Sequence, residues 1–322
     1  HESKNVMAVR INPADPTIFA SGGEDGTIRF WKLGQGKPLQ ILRDSAMNCF
    51  PLNWTPQCGV NEIAFSHDGE QIAARYANGT FRLWNPATGR MIADARRADP
   101  GDSFQAMAAI PETNRIAIGT NRSLVRFYDF DTGSENIEAR VDLHKIATGL
   151  QSQYPDMQLQ YSMNEPNIRS IAYSSHRKYL AIGTVDGKVF IVDNDGLNQK
   201  AFAVTKGSAV KSLKFNNEGS LLFAGTEDRV LEAWSISANQ PQMVATMEGH
   251  TGPIRSVAVI PGLDRMITVS EDDTILIRDA FRNTRGLIDG VCSKLSLKGL
   301  GAGQYLKTHH GFASYCAPPG EE

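Results

Sequence analysis

Residues 22–31 read Gly-Gly-Glu-Asp-Gly-Thr-Ile-Arg-Phe-Trp, and this stretch decides how the rest of the 322-residue chain is interpreted. Asp25-Gly26 is a strong tight-turn signal, because the central residues of a hairpin turn often need a positive φ. The residues from Thr27 to Trp31 then alternate like a β-strand that buries one face. The stretch therefore predicts a hairpin whose second strand ends at a tryptophan.

This turn-and-strand stretch recurs five more times along the chain in weaker form. The positions equivalent to the tryptophan are Trp31, Trp84, Tyr128, Val192, Trp234 and Arg278, each six residues after its turn residue. An apolar residue of a preceding strand lies 20–22 positions earlier in every copy. These apolar positions are Val9, Ile63, Ala108, Ile171, Leu213 and Val257. Spacing this constant across six copies predicts a repeat architecture.

Each repeat contains four predicted strands. The second is a short apolar run, as at residues 116–120, which is typical of a buried strand near a central axis. A fourth, less regular strand follows the tryptophan-like position, as at residues 38–42 and 137–143. Four antiparallel strands in about 40–45 residues form the blade of a β-propeller. We therefore predict an all-β propeller of four-stranded antiparallel blades.

At these residues the chain resembles the WD-repeat propeller family. In that family a Gly-His pair, a Ser or Thr, the turn Asp and the Trp form a buried hydrogen-bonded set. The matching positions are His1, Ser21, Asp25 and Trp31 in the first repeat, and His250, Thr268 and Asp272 in the last, where Arg278 replaces the tryptophan. These residue types also match a catalytic triad, but we expect a structural role because unpaired buried polar groups are costly.

The repeats divide the chain into a propeller, residues 1–285, and an extension, residues 286–322. The repeats lie near residues 1–42, 61–94, 104–143, 168–204, 209–247 and 253–285. Seven blades are common in the resembled family, and the chain opens at the His of a Gly-His pair. We therefore expect an upstream segment to supply a missing blade or closing strand. The alternative is a ring of six blades that closes on itself.

The extension begins with apolar residues at helical spacing, at Leu287, Ile288, Val291 and Leu295. With the Tyr and Cys residues that follow, it resembles the short helical extension of bacterial multidomain WD-repeat proteins. That resemblance implies a bacterial origin and an effector domain upstream of residue 1.

Two connections between repeats, residues 43–60 and 144–167, are longer than the others. We expect both on the propeller face that carries the Asp-Gly turns, where long loops on a rigid scaffold are often functional. Their candidate partner-binding residues are Phe50, Trp54, Tyr154, Met157 and Tyr161. The alternative is that these side chains plug the central channel or cover blade edges.

The four cysteines allow three pairings, of which the local one joins Cys49 to Cys58 and Cys292 to Cys316. Disulfides would indicate an extracytoplasmic compartment, and free thiols a cytoplasmic one. Their spacing does not fit a zinc site.

The composition excludes several classes of partner. The chain has 33 Lys and Arg against 35 Asp and Glu, a net charge of −2, which gives no field for nucleic acid. No apolar run approaches 18 residues, so we expect no membrane insertion. Residues 183–188 and 193–204 fail as phosphate and calcium loops, so we predict no cofactor and no metal.

Two functions fit this pattern. The first is a non-catalytic scaffold that binds a protein or peptide through loops on one propeller face. The second is the sensor or regulatory propeller of a larger enzyme, covalently linked to a domain upstream. A nucleophile or phosphate-loop motif upstream would favour the second.

Overall fold

The structure is a computed structural model that describes residues 1, 5–44, 58–95, 102–153, 167–193, 199–203, 207–236, 240–260 and 265–279. These residues form 23 β-strands and one α-helix, and the strands are grouped in six antiparallel sheets. Each sheet corresponds to one sequence repeat, and its strands lie side by side in chain order. Among these residues, no helix is long and apolar enough to cross a membrane.

The strand bounds are as follows. The first sheet contains β1 (Val6–Ile11), β2 (Ile18–Gly23), β3 (Thr27–Lys32) and β4 (Gln40–Arg43). The second contains β5 (Val60–Phe65), β6 (Ile72–Tyr76), β7 (Phe81–Asn85) and β8 (Arg90–Ala95), and the third β9 (Phe104–Ile110), β10 (Arg115–Thr120), β11 (Leu124–Asp129) and β12 (Glu135–Asp142). The fourth contains β13 (Ile168–Ser174), β14 (Tyr179–Thr184), β15 (Lys188–Asp193) and β16 (Gln199–Ala203). The fifth contains β17 (Val210–Phe215), β18 (Leu221–Thr226), β19 (Leu231–Ser235) and β20 (Gln242–Met247), and the sixth, in its described part, β21 (Ile254–Ile260), β22 (Arg265–Ser270) and β23 (Ile275–Asp279).

The sheets are arranged as the blades of a propeller, with their first strands innermost. Each first strand contacts the first strand of the next sheet, from β1 through β5, β9, β13 and β17 to β21. The second strand, predicted as a buried strand near the central axis, is one strand removed from it. It is buried between its sheet neighbours and the adjacent blades, as in β18, where all six residues are buried.

The core consists of five apolar clusters, one between each pair of consecutive sheets. The first cluster joins Ile28 and Phe30 of the first sheet to Ile63 and Trp84 of the second. The same contact is repeated at every later boundary. Fully burying one such side chain stabilises the fold by about 1.5–3 kcal/mol, so the boundaries between sheets hold the propeller together.

The strand register corrects one position of the repeat alignment. The repeat spacing aligns Ala108 with Val9 and Ile63. In the structure, however, Met107 pairs with Ile118, and Ile118 lies ten positions before Tyr128. Met107 is buried at the boundary with the second sheet, as Ile63 is at the boundary with the first. Ala108 points to the opposite face, so the repeat spacing is 21 in the third sheet as well.

The turns between second and third strands keep one backbone shape although their sequences differ. A positive φ occurs at the residue after the turn residue in all six sheets, at Gly26, Gly79, Ser123, Gly187, Arg229 and Asp273. Asp25 itself is not among the positive-φ residues, so the turn needs this conformation at one central residue and not at two. The interactions around the turn therefore impose the shape even where glycine is absent.

Helix α1 (Leu143–Gln153) lies in what the sequence predicted as the second long connection. The amides of His144 and Lys145 donate to the Asp142 carboxylate, which caps the helix N-terminus. The buried side chains of α1 join the cluster between the third and fourth sheets, and they are Leu143, Ile146, Ala147 and Leu150. The fourth strand of the third sheet consequently ends at Asp142, one residue earlier than expected.

Candidate functional site

One backbone hydrogen bond recurs in all six sheets and defines a face of the propeller. In each sheet a turn residue between the second and third strands donates its amide to the carbonyl of the residue just before the first strand. The pairs are Glu24 to Asn5, Ala77 to Gly59, Asn121 to Ser103, Val185 to Asn167, Glu227 to Ala209 and Glu271 to Pro253, all within 2.8–3.1 Å. These turns and the segments leading into each first strand therefore share one face, which we call the turn face.

Both long connections end at the turn face. Gly59 comes two positions after residues 45–57, and Asn167 directly follows residues 154–166. The carbonyls of Gly59 and Asn167 each accept one of the repeated hydrogen bonds. The candidate partner-binding residues Phe50, Trp54, Tyr154, Met157 and Tyr161 belong to these two segments and lie outside the described residues. Their assignment as a binding site stays a prediction, and the structure describes only the frame from which they extend.

The first sheet contains the expected buried polar set around His1. Its Nδ1 lies 2.9 Å from Asp25 Oδ1, and its Nε2 lies 2.7 Å from Ser21 Oγ. The Trp31 indole donates to the same Ser21 oxygen at 2.8 Å. The Ser21 hydroxyl is therefore buried with a hydrogen-bond partner on each side, as a structural role requires.

The sixth sheet builds a similar set around His250. Its Nε2 lies 2.8 Å from Thr268 Oγ1, and its Nδ1 lies 3.1 Å from Asp272 Oδ2. Arg278 Nε donates to Thr268 at 3.3 Å, so the guanidinium provides the contact that the Trp31 indole makes in the first sheet. The pKa of Asp272 lies well below its usual range, mainly because the Thr274 hydroxyl donates a hydrogen bond to the carboxylate. The carboxylate is therefore ionised and fixes the turn to His250.

Substituting Thr268 by Val is expected to lower the free energy of unfolding by about 1–3 kcal/mol. Val has nearly the shape of Thr, but it leaves the buried His250 Nε2 without its hydrogen-bond partner. Urea unfolding followed by fluorescence measures the change. Thr132→Val, at an exposed turn, is the matched control and should change stability by less than about 0.5 kcal/mol. Equal effects of the two variants would contradict a structural role for the His250 set.

Buried arginines make a second type of polar contact, which the sequence pattern did not predict. Arg82 Nη2 lies 2.7 Å from Asp44 Oδ2, and Arg126 Nη2 lies 2.8 Å from Asp102 Oδ2. Arg29, at the equivalent position of the first sheet, pairs with the turn residue Asp25 at 3.0 Å. The available signal was an arginine two positions before the tryptophan-like residue in each of the first three repeats. The second and third repeats, which lack the histidine, each contain one of these buried ion pairs.

Of the cysteines, only Cys58 is among the described residues. It is buried and disulfide-bonded. Cys49, Cys292 and Cys316 lie outside the described residues, so the two pairings predicted from the sequence stay predictions. Within the described part of the chain, no cluster of His, Cys, Asp or Glu side chains is arranged to hold a metal ion.

Six consecutive antiparallel sheets with a repeated turn and buried His, Ser or Thr, and Asp sets define a repeat propeller. The family profile described as "WD domain, G-beta repeat" (WD40) matches residues 1–32, 52–85, 157–193, 200–235 and 241–279, together more than half of the chain. The chain therefore belongs to this WD40 repeat family. Propellers of this family typically mediate protein–protein interactions.

Individual relatives are more distant. An uncharacterized WD repeat-containing protein of Schizosaccharomyces pombe is 26% identical over 223 residues, which cover 66% of this chain and 49% of that protein. WD repeat-containing protein 1 of Gallus gallus is 20% identical over 275 residues, 85% of this chain and 40% of that protein. This chain therefore spans less than half the length of either relative. Both organisms are eukaryotes, so these relatives give the expected bacterial origin no support.

A solved structure has the same architecture. The chain titled "Structure of U3-55K" superimposes with a TM-score of 0.65 over 86% of this chain and 78% of that one. The sequence identity is 16%, so the likeness bears on the fold alone. It agrees with the all-β propeller predicted from the repeats.

Proposed function

We propose that this chain is a non-catalytic scaffold that binds a protein or peptide on the turn face, through the two long connections. The observation that carries the proposal is the hydrogen bond repeated in all six sheets, which ties each turn to the segment leading into the first strand. This hydrogen-bonded frame holds the ends of both long connections at the same face. A partner that bound there would pay little ordering cost in the scaffold itself.

The second long connection divides into two parts with different roles. Its helical part, α1, buries its apolar side between the third and fourth sheets and so supports the alternative that this connection covers blade edges. The partner contacts are therefore assigned to residues 154–166, which carry Tyr154, Met157 and Tyr161, together with Phe50 and Trp54 of the first connection. Aromatic and Met side chains are enriched at protein interfaces relative to the rest of the surface.

The double substitution Trp54→Ala and Tyr161→Ala is expected to weaken partner capture at least about tenfold. A tenfold loss of affinity corresponds to roughly 1.4 kcal/mol of binding free energy, and truncating one anchor residue of an interface typically costs more than that. Immobilised wild-type and variant chains are compared by quantitative mass spectrometry of what each retains from its source extract. The thermal midpoint should stay unchanged. Leu33→Ala, at an exposed position after β3 on the opposite side of the first sheet, is the control. Loss of stability with undiminished capture would contradict the proposal.

A second candidate function is the regulatory propeller of a larger protein. The observation that favours it is that this chain spans 49% and 40% of the two relatives described above. On this account the partner is a domain of the same polypeptide upstream of residue 1, and a seventh blade or closing strand comes from there as well. The mass of the protein isolated from its source distinguishes the two candidates, since a mass well above that of 322 residues favours the second.

A further inference from the structure

The sixth sheet has an apolar face with no neighbour among the described residues. In each sheet the residues one and three positions before the tryptophan-like residue form what we call the leading face, which packs against the following sheet. In the first sheet these residues, Ile28 and Phe30, are at most 5% exposed, and in the fifth Leu231 and Ala233 are fully buried. The equivalent Ile275 and Ile277 of the sixth sheet are 66% and 63% exposed.

The first sheet has the complementary apolar face, which also lacks a neighbour among the described residues. The residues equivalent to Val9 in the other five sheets are at most 9% exposed, and they are Ile63, Met107, Ile171, Leu213 and Val257. Each packs against the preceding sheet, and we call this the trailing face. Val9 is 49% exposed, and Ile11 on the same face is 64% exposed.

The two uncovered faces border one gap. The sheets contact one another in chain order, so the first and the sixth are the two ends of the series. Each uncovered face has the residue types that are buried at the other five boundaries. Contiguous exposed apolar faces mark contact surfaces, and these two are of the kind that this chain buries against itself.

We propose that residues 280–322 of this chain fill the gap between the sixth and the first sheet. The segment starts at the end of β23, the strand that carries Ile275 and Ile277, so it is tethered at the edge of the gap and has a high effective concentration there. Its 43 residues are comparable in length to a whole sheet such as residues 210–247. Its apolar residues Leu287, Ile288, Val291 and Leu295 recur at helical spacing and supply an apolar surface.

The proposal is tested by photo-crosslinking in the full chain. Ile277 is replaced by p-benzoylphenylalanine in one variant and Val9 in another, and the photoproducts are mapped by peptide mass spectrometry. Both variants are expected to crosslink to peptides within residues 280–322 of the same molecule, with the mass of a monomer. The control replaces Ile137, which is 65% exposed on β12 of the third sheet and should give no crosslink to that segment.

Each other result overturns the proposal. Products with the mass of a dimer would assign the faces to a second copy, and a crosslink from one position alone would show that the segment does not fill the gap. Absence of crosslinks would show that the faces are uncovered. A second variant avoids dependence on crosslinking: Ile277→Asp should lower the thermal midpoint by at least about 4 °C more than Ile137→Asp. These outcomes do not depend on partner binding at the turn face.

Discussion

Gly187→Ala is expected to lower the free energy of unfolding by about 2–6 kcal/mol, or to prevent folding, since two costs of about 1–3 kcal/mol combine. Gly187 has a φ of +79°, a conformation that L-residues rarely adopt. A Cβ atom there would also lie 2.4 Å from the carbonyl carbon of Gly207, in the segment that leads into the fifth sheet. The Cβ position is fixed by the backbone and the Gly207 carbon is itself a backbone atom, so no side-chain rotation can relieve the overlap.

Gly34→Ala is the matched control for this substitution. Gly34 has a φ of +80°, and nothing lies within 4 Å of the added Cβ atom. The control should therefore cost only the backbone strain, about 1 kcal/mol. Urea unfolding of the two variants separates strain from close approach. If both variants lose the same stability, the contact between the fourth sheet and the segment before the fifth contributes nothing.

Asp102→Asn should destabilise the protein by about 3–5 kcal/mol, the usual effect of breaking a buried ion pair. Asp102 and Arg126 are each 1% exposed, and their atoms Oδ2 and Nη2 are 2.8 Å apart. Asn keeps the size of the side chain but removes the charge that compensates the buried guanidinium. Glu135, at 3.7 Å from Arg126 Nη1, offsets only part of this loss.

Two comparisons make the result specific to burial. Glu112→Gln breaks the partly exposed pair with Lys178 and should cost less than about 1 kcal/mol. The double variant of Arg126→Met and Asp102→Asn should be more stable than the sum of the single effects by at least about 1 kcal/mol, because no unpaired charge is left. Additive effects, or a loss no larger than that of Glu112→Gln, would show that the pair is not coupled.

The repeat architecture could be predicted from the sequence because it depends on local signals. Asp25-Gly26 and the apolar alternation up to Trp31 predict a hairpin without knowledge of the rest of the chain. The same pattern occurs six times at constant spacing, which identifies the repeat. The assignment of Ala108 failed because adjacent small and apolar residues, Ala106 to Ala109, leave the alternation of that strand ambiguous. Only the pairing of Met107 with Ile118 resolves it.

The features that were missed depend on contacts between distant parts of the chain. Arg82 pairs with Asp44, which lies at the end of the preceding sheet, and no local pattern indicates that partner. Helix α1 had a local signal, since Leu143, Ile146, Ala147 and Leu150 recur at helical spacing after the capping residue Asp142. The all-β pattern of the surrounding repeats nevertheless favours a loop at this position. The candidate binding residues lie outside the described residues, so the site itself stays a prediction.

The turns between second and third strands also bear on how this protein could be engineered. Ser123, Arg229 and Asp273 hold a positive φ without being glycine, a conformation that costs roughly 1–2 kcal/mol per residue. The stability of the propeller is therefore below what the same backbone allows. Thermostable variants are best sought first at these three positions, by introducing the glycine found at the equivalent positions 26, 79 and 187.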